Sequence, residues 1–187
     1  MAAKTSAAKH PIARLQARDP DTGDLNVVID TPQGSRNKFT WDEEHQVFKL
    51  AGILPVGAVF PYDFGYVPCT VGGDGDPLDV LVLMDEPAFA GCLVPSRLIG
   101  VIEAEQTEEG ETRRNDRLIA VAVKSHRHRD VRTLDDLRPH TIEEIEHFFV
   151  SYNEAKGKEF EPLGRHGPKR AARLVEKGRR SFANERE

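Results

Sequence analysis

Asp74-Gly75-Asp76-Pro77-Leu78-Asp79 puts three carboxylates within six positions and runs straight into the apolar stretch Val80-Leu81-Val82-Leu83-Met84. Acids packed this closely repel one another, and hard divalent cations, which take carboxylate oxygens, are the simplest relief. Gly72, Gly73 and Gly75 give the backbone freedom to turn, and Pro77 fixes the chain just before the strand. The competing reading is a plain acidic β-turn, since Asp and Gly are ordinary turn formers. Metal binding is the stronger reading because turns rarely need three acids around Gly and Pro at the mouth of a buried strand. A calcium loop of the EF-hand type is excluded by spacing. Counted from Asp74, it needs an oxygen ligand at Leu78, Gly in place of Asp79 and Glu in place of Asp85. Other chemistry is poorly provided for. Glu144-Ile145-Glu146-His147 has the spacing of a di-iron helix in a single copy where two are needed, and His126 and His128 are flanked by arginines that repel a metal ion. No glycine-rich nucleotide loop ending in Lys-Ser or Lys-Thr occurs, and no Ser or Cys sits in a recognisable nucleophile setting.

The elements that must hold this turn are mostly strands. Leu25–Asp30 reads as a strand closed by the turn Thr31-Pro32-Gln33-Gly34, and Asn37–Trp41 with Gln46–Leu50 reads as a hairpin whose polar face carries Lys38 and Thr40. The segment 55–68 is aromatic, broken by prolines and without helical period, and it leads directly into the acidic turn. Further strands follow over 80–84, over 92–104 with an interruption at Pro95, and over 116–123, with a polar loop from Glu105 to Arg114. Thr141-Ile142-Glu143-Glu144 matches a capping box, and Ile142, Ile145, Phe148, Phe149 and Tyr152 fall on one helical face, with Gly157 as the stop. A second helix begins at Pro168 and turns Ala171, Ala172, Leu174 and Val175 inward. Six or seven strands before residue 125 with no helix between them point to a mainly β fold with α. The expectation is a single-domain, OB-like closed β-barrel of about five to seven strands with two C-terminal helices packed on it.

With 187 residues, the length suits one domain able to bury a core without disulfides, and Cys69 and Cys92 are too few for a disulfide framework. Residues 1–20 read as a flexible N-terminal tail and residues 21–187 as the domain. A cytoplasmic location is expected, since no apolar run is long enough for a membrane span and no secretory signal is evident. The net charge of −5 argues against nucleic acid as a partner. The basic run Lys124-Ser125-His126-Arg127-His128-Arg129 is answered at once by Asp130, Asp135 and Asp136, as on a solvated face.

The stretch from Asp74 to Val82 resembles the signature of the soluble, Mg-dependent inorganic pyrophosphatases with an OB-fold barrel. Weaker echoes stand in the same order at 27–32, at Lys38-Phe39, at 60–66, at 116–121, and at His147-Phe148-Phe149 with Tyr152 and Gly157-Lys158, so the resemblance covers about Leu25 to Lys158. It implies hydrolysis of pyrophosphate to two phosphates by water activated on two or more Mg²⁺ ions. It implies Asp74 and Asp79 as metal ligands, a further ligand at Asp116 or one residue earlier at Asn115, Asp76 as the base beside the attacking water, and Lys38, Arg117, Tyr152 and Lys158 as holders of phosphate oxygens. A homo-oligomer is also implied. Departures cluster around the substrate: Thr40 replaces a Glu, Phe60 and Phe64 replace two tyrosines, Lys49 is the nearest cation to a missing Arg, Asn153 replaces a Lys, and Gln106 falls near the place of a metal-binding acid, for which Glu105, Glu108 or Glu109 could substitute only by shifting. These departures leave two alternatives open, a hydrolase of another small phosphoanhydride or phosphate ester, and a non-catalytic paralogue that binds metal or phosphate.

Overall fold

The computed structural model describes Ile12 and residues 15–185. Nine strands and two helices follow in the order β1 (Leu25–Thr31), β2 (Asn37–Asp42), β3 (Val47–Ile53), β4 (Asp63–Tyr66), β5 (Asp79–Leu83), β6 (Leu93–Glu108), β7 (Glu111–Arg114), β8 (Arg117–Ala122), α1 (Thr141–Glu154), β9 (Glu159–His166) and α2 (Pro168–Asn184). The main sheet runs β1-β4-β5-β8-β6-β7, with β9 beside β6, and β1 also pairs β6, so the strand path returns on itself. β2 and β3 form a separate two-stranded sheet.

The strands through the middle are apolar on both faces because both faces are covered. Val80 and Val82 of β5, with Leu118 and Ala120 of β8, face a core shared with Ala171 and Val175 of α2. Leu81 and Leu83, with Ile119 and Val121, face a second core closed by Ile142, Ile145 and Phe149 of α1 and by Phe60, Phe64 and Phe160. Burying a Val, Leu or Ile side chain contributes roughly 1.5 to 3 kcal/mol. The two cores therefore fix β5 and β8, and whatever is attached to their ends, as one rigid unit.

Several local expectations change. The polar loop expected at 105–114 is the end of β6 and all of β7, paired in antiparallel register with Gln106 opposite Arg113. Pro95 does not interrupt β6, because its carbonyl, which proline keeps, accepts from the Val123 N–H at 2.9 Å. The expected capping box is not formed: His140 is the N-cap in left-handed conformation, Thr141 is already helical and buried, and Glu143 meets the His140 ring at 2.6 Å. A ninth strand, β9, stands between the helices where the alternation of a short polar stretch gave no signal. Of the expected tail, residues 15–20 pack onto the body, with Ala17 in the core and Arg18 bridged to Leu25; residues 1–11, 13 and 14 lie outside the described residues. Among the described residues no helix is long and apolar enough to cross a membrane.

Candidate active site

A cavity of about 820 Å³ opens at the start of β5 and β8. Its lining brings together Asp74, Asp76 and Asp79, Lys38, Arg117, Tyr152 and Lys158, seven of the eight residues singled out from the sequence. The eighth, Asp116, is elsewhere. Its Oδ1 accepts from the Ala104 N–H at 3.0 Å and from Arg114 Nη2 at 2.8 Å, which ties the β8 entrance to β6. The strand register gives the reason: Arg117 faces the cavity, side chains alternate, and so Asn115 two residues earlier faces it while Asp116 turns away.

The acidic turn is held by its own backbone. Gly72 N–H donates to Asp76 O at 2.7 Å, Asp76 N–H donates to Asp74 Oδ1 at 3.1 Å, and Gly75 sits at φ +93°, a conformation glycine adopts without strain. A side chain at Gly73 would put its Cβ 2.7 Å from Arg114 Cβ and 2.8 Å from the Arg114 carbonyl, so this glycine lets the turn lie against the β7–β8 connection. Burial holds the Asp74 carboxyl above the usual carboxylate range, with the charges of Asp79 and Asp76 pushing the same way. Asp76 is exposed at the tip of the turn.

Asp79 is placed by pairing. β5 runs parallel to β8 with Val80 opposite Leu118, which sets Asp79 beside Arg117, and Arg117 Nη1 donates to Asp79 Oδ2 at 2.6 Å. The same Nη1 donates to Asn115 Oδ1, and Asn115 Nδ2 in turn donates to Gln106 Oε1 at 3.2 Å. Arg117 is itself buried, its guanidinium 4.9 Å from the Phe149 ring centre and 5.3 Å from that of Phe160. Guanidinium over aromatic faces keeps a buried cation favourable and its direction fixed.

The cavity also carries a residue the sequence reading left without a role. Asp30, near the end of the wholly buried β1, accepts from Lys38 Nζ with both oxygens at 2.9 Å, and Lys38 lies 4.2 Å from the Phe64 ring centre. Loss of water pushes the Asp30 carboxyl up to about 6 against the opposing pull of Lys38. An acid in an otherwise apolar strand was the available signal. Phe64, standing where a tyrosine is expected, serves as the face on which Lys38 rests, whereas Phe60 is core, packed edge-on to Phe148 and Tyr152.

α1 supplies Tyr152, whose hydroxyl accepts from Lys156 Nζ and whose pKa burial raises to about 12. Asn153 also lines the cavity, and its Nδ2 donates to the Phe149 carbonyl one turn earlier in α1. Lys158, just before β9, pairs with Glu108 at 2.7 Å. Lys49 is tied to Asp42 at 2.8 Å on the hairpin and does not line the cavity; Glu108 and Glu109 line it, as do Arg113 and Lys156, which had not been singled out.

Residues 27–183 match the sequence profile of the family described as inorganic pyrophosphatase. The chain belongs to that family. Curated inorganic pyrophosphatases of Synechocystis sp. and Geobacillus stearothermophilus are each 38% identical to it, over 82% of this chain and 88% of the first, and 81% of this chain and 90% of the second. The crystal structure of the Thermus thermophilus inorganic pyrophosphatase superposes with a TM-score of 0.84 at 30% identity, covering 93% of this chain and 99% of that one. The Helicobacter pylori inorganic pyrophosphatase gives 0.81 at 32% identity, with coverage of 91% and 99%.

A metal in this pyrophosphatase fold has to meet the oxygens actually present. Those on the acidic turn fit a hard cation: three carboxylates on one side of the cavity, one of them raised in pKa by crowding and burial. Their present side-chain positions do not converge, and among the described residues no three Asp, Glu, His or Cys side chains meet at one point. The β6–β8 wall fits a cation poorly. Asn115 and Gln106 present neutral amides there, and their facing oxygens already accept from N–H donors.

Proposed function

We propose that this protein hydrolyses inorganic pyrophosphate to two phosphates. One observation carries the reading: in a chain of the pyrophosphatase family, the Asp74-Asp76-Asp79 turn lines a single cavity together with Lys38, Arg117, Tyr152 and Lys158. Asp74 and Asp79 would hold the divalent cation, with Mg²⁺ the expected ion. When bound, such an ion lowers the pKa of water and neutralises phosphate oxygens. Asp76, exposed at the tip of the turn, accepts the proton of the attacking water as its oxygen bonds to one phosphorus and the bridging P–O bond breaks. Lys38 and Arg117 hold phosphate oxygens, each already directed by a carboxylate and an aromatic face, so little reorganisation accompanies charge build-up on the leaving phosphate. Tyr152 and Lys158 complete the grip.

The cyclic pairing of β1, β4, β5, β8 and β6 supports an OB-like closed barrel. Val47, Leu50, Ile53 and Val56 are exposed apolar side chains on and after the hairpin, which supports a homo-oligomer. The cysteines are free, consistent with the cytoplasm. The test is phosphate release from pyrophosphate with Mg²⁺. Asp76→Asn is expected to lower turnover by about 10²- to 10⁴-fold; equal turnover would remove Asp76 from this role, and background turnover in the unmodified protein would remove the activity. In that last case the amide pair at 106 and 115 favours a non-catalytic protein that binds phosphate or metal.

A further inference from the structure

We infer that Arg117, with Asn115 and Gln106, forms a fixed cationic wall in place of one divalent-ion position, so that metal binding is confined to the Asp74–Asp79 turn. The inference rests on the proposed reading of this cavity as a metal and phosphate site. Its basis is the direction of the hydrogen bonds. Arginine has only donors, so the Asn115 oxygen must face Nη1 and the Asn115 Nδ2 must face away, toward Gln106 Oε1. The amide orientations therefore follow from the chemistry of the guanidinium. Along this wall Asp79 and Arg117 cancel in charge, Asn115 and Gln106 are neutral, and the available amide oxygens are engaged by donors.

A cation approaching Asn115 and Gln106 meets a buried guanidinium and neutral amides, and of the acids that line the cavity from the β6–β7 hairpin Glu108 pairs with Lys158 and Glu111 with Arg113, which leaves Glu109 at the hairpin tip. An anion fares better. Gln106 lines the cavity and, among the described residues, both N–H groups of its amide are unpartnered, whereas the unpartnered Arg117 Nε is itself buried. A phosphate oxygen thus meets N–H groups on this wall, where two further carboxylates would have demanded a metal ion between wall and substrate. Phe149 and Phe160 hold the guanidinium from behind.

Mn²⁺ binding to the full chain, counted by electron paramagnetic resonance without pyrophosphate, tests this separately from turnover. The unmodified protein should lose its bound Mn²⁺ on Asp74→Asn. The isosteric pair Asn115→Asp with Gln106→Glu should gain at least one ion per chain, and keep it when Asp74→Asn is added. Arg117→Met, which needs no new acid, should tighten Mn²⁺ binding by about tenfold or more by removing a positive charge beside Asp79. An unchanged ion count in the folded acid pair, retention of Mn²⁺ by Asp74→Asn alone, or equal or weaker binding in Arg117→Met would each overturn the inference. Phosphate release is read on the same samples: turnover with a failed ion count sinks this inference alone, and a gained ion without turnover sinks the activity alone.

Discussion

Removing the ammonium of Lys38 should destabilise the fold in a way that depends on pH. The Lys38 and Asp30 side chains keep only 15% and 8% of their surface exposed, and one Nζ reaches both carboxylate oxygens. Asp30 ionises at about 6 in the folded protein against an ordinary 3.8. Below 3.8 both folded and unfolded chains carry the proton; as pH rises from there the unfolded chain releases it first, so stability falls. That fall amounts to about 3 kcal/mol and ends near pH 6, where the folded form ionises too. In Lys38→Met the charge and hydrogen bonds of Lys38 that lower this pKa are gone and only the weaker Thr31 hydrogen bond remains, so the fall continues past pH 6 at about 1.4 kcal/mol per pH unit. By pH 8 the loss relative to the parent should reach the ~3 to 5 kcal/mol typical of a buried charge without its partner, and it should be much smaller near pH 5.5. Urea denaturation at the two pH values, with a chelator present, reads the difference. Adding Asp30→Asn to Lys38→Met should restore most of the stability at pH 8, since no buried charge then remains. A gap of equal size at both pH values, or no recovery in the double variant, would refute the account of Asp30 as a carboxylate kept charged by Lys38.

Gly73→Ala should weaken Mn²⁺ binding several-fold and cost about 1 to 3 kcal/mol in thermal denaturation, because the added Cβ collides with Arg114 and pushes the turn off the β7–β8 connection; unchanged metal affinity would show that the turn's position is not set there. Phe149→Ala should cost about 3 to 5 kcal/mol by chemical denaturation, since the ring is fully buried among Phe64, Phe148 and Phe160. The same change removes the face under Arg117, and a raised KM for pyrophosphate is the expected accompaniment; an unaltered KM would mean that Asp79 and Asn115 alone direct the guanidinium.

The sequence by itself determined the acidic turn, the buried strand that follows it and the family, because these are local: Gly and Pro set the backbone, and the apolar run at 80–83 is long enough to specify a strand covered on both faces. It also determined α2, whose start at Pro168 and inward residues follow from the fixed φ of proline and a period of 3.6. Tertiary structure decided what a one-residue shift reverses. In a strand, neighbouring side chains point to opposite faces, so whether position 115 or 116 enters the cavity depends on the pairing of β8 with β5 and β6, which no local spacing encodes. The same holds for Asp30, which becomes half of an ion pair only because β2 crosses the end of β1, and for Gln106, which reaches Asn115 only through the β6–β7 hairpin. Composition could place acids and cations in one chain; the contacts between distant strands settled which of them meet, as Arg117 meets Asp79 and Asn115.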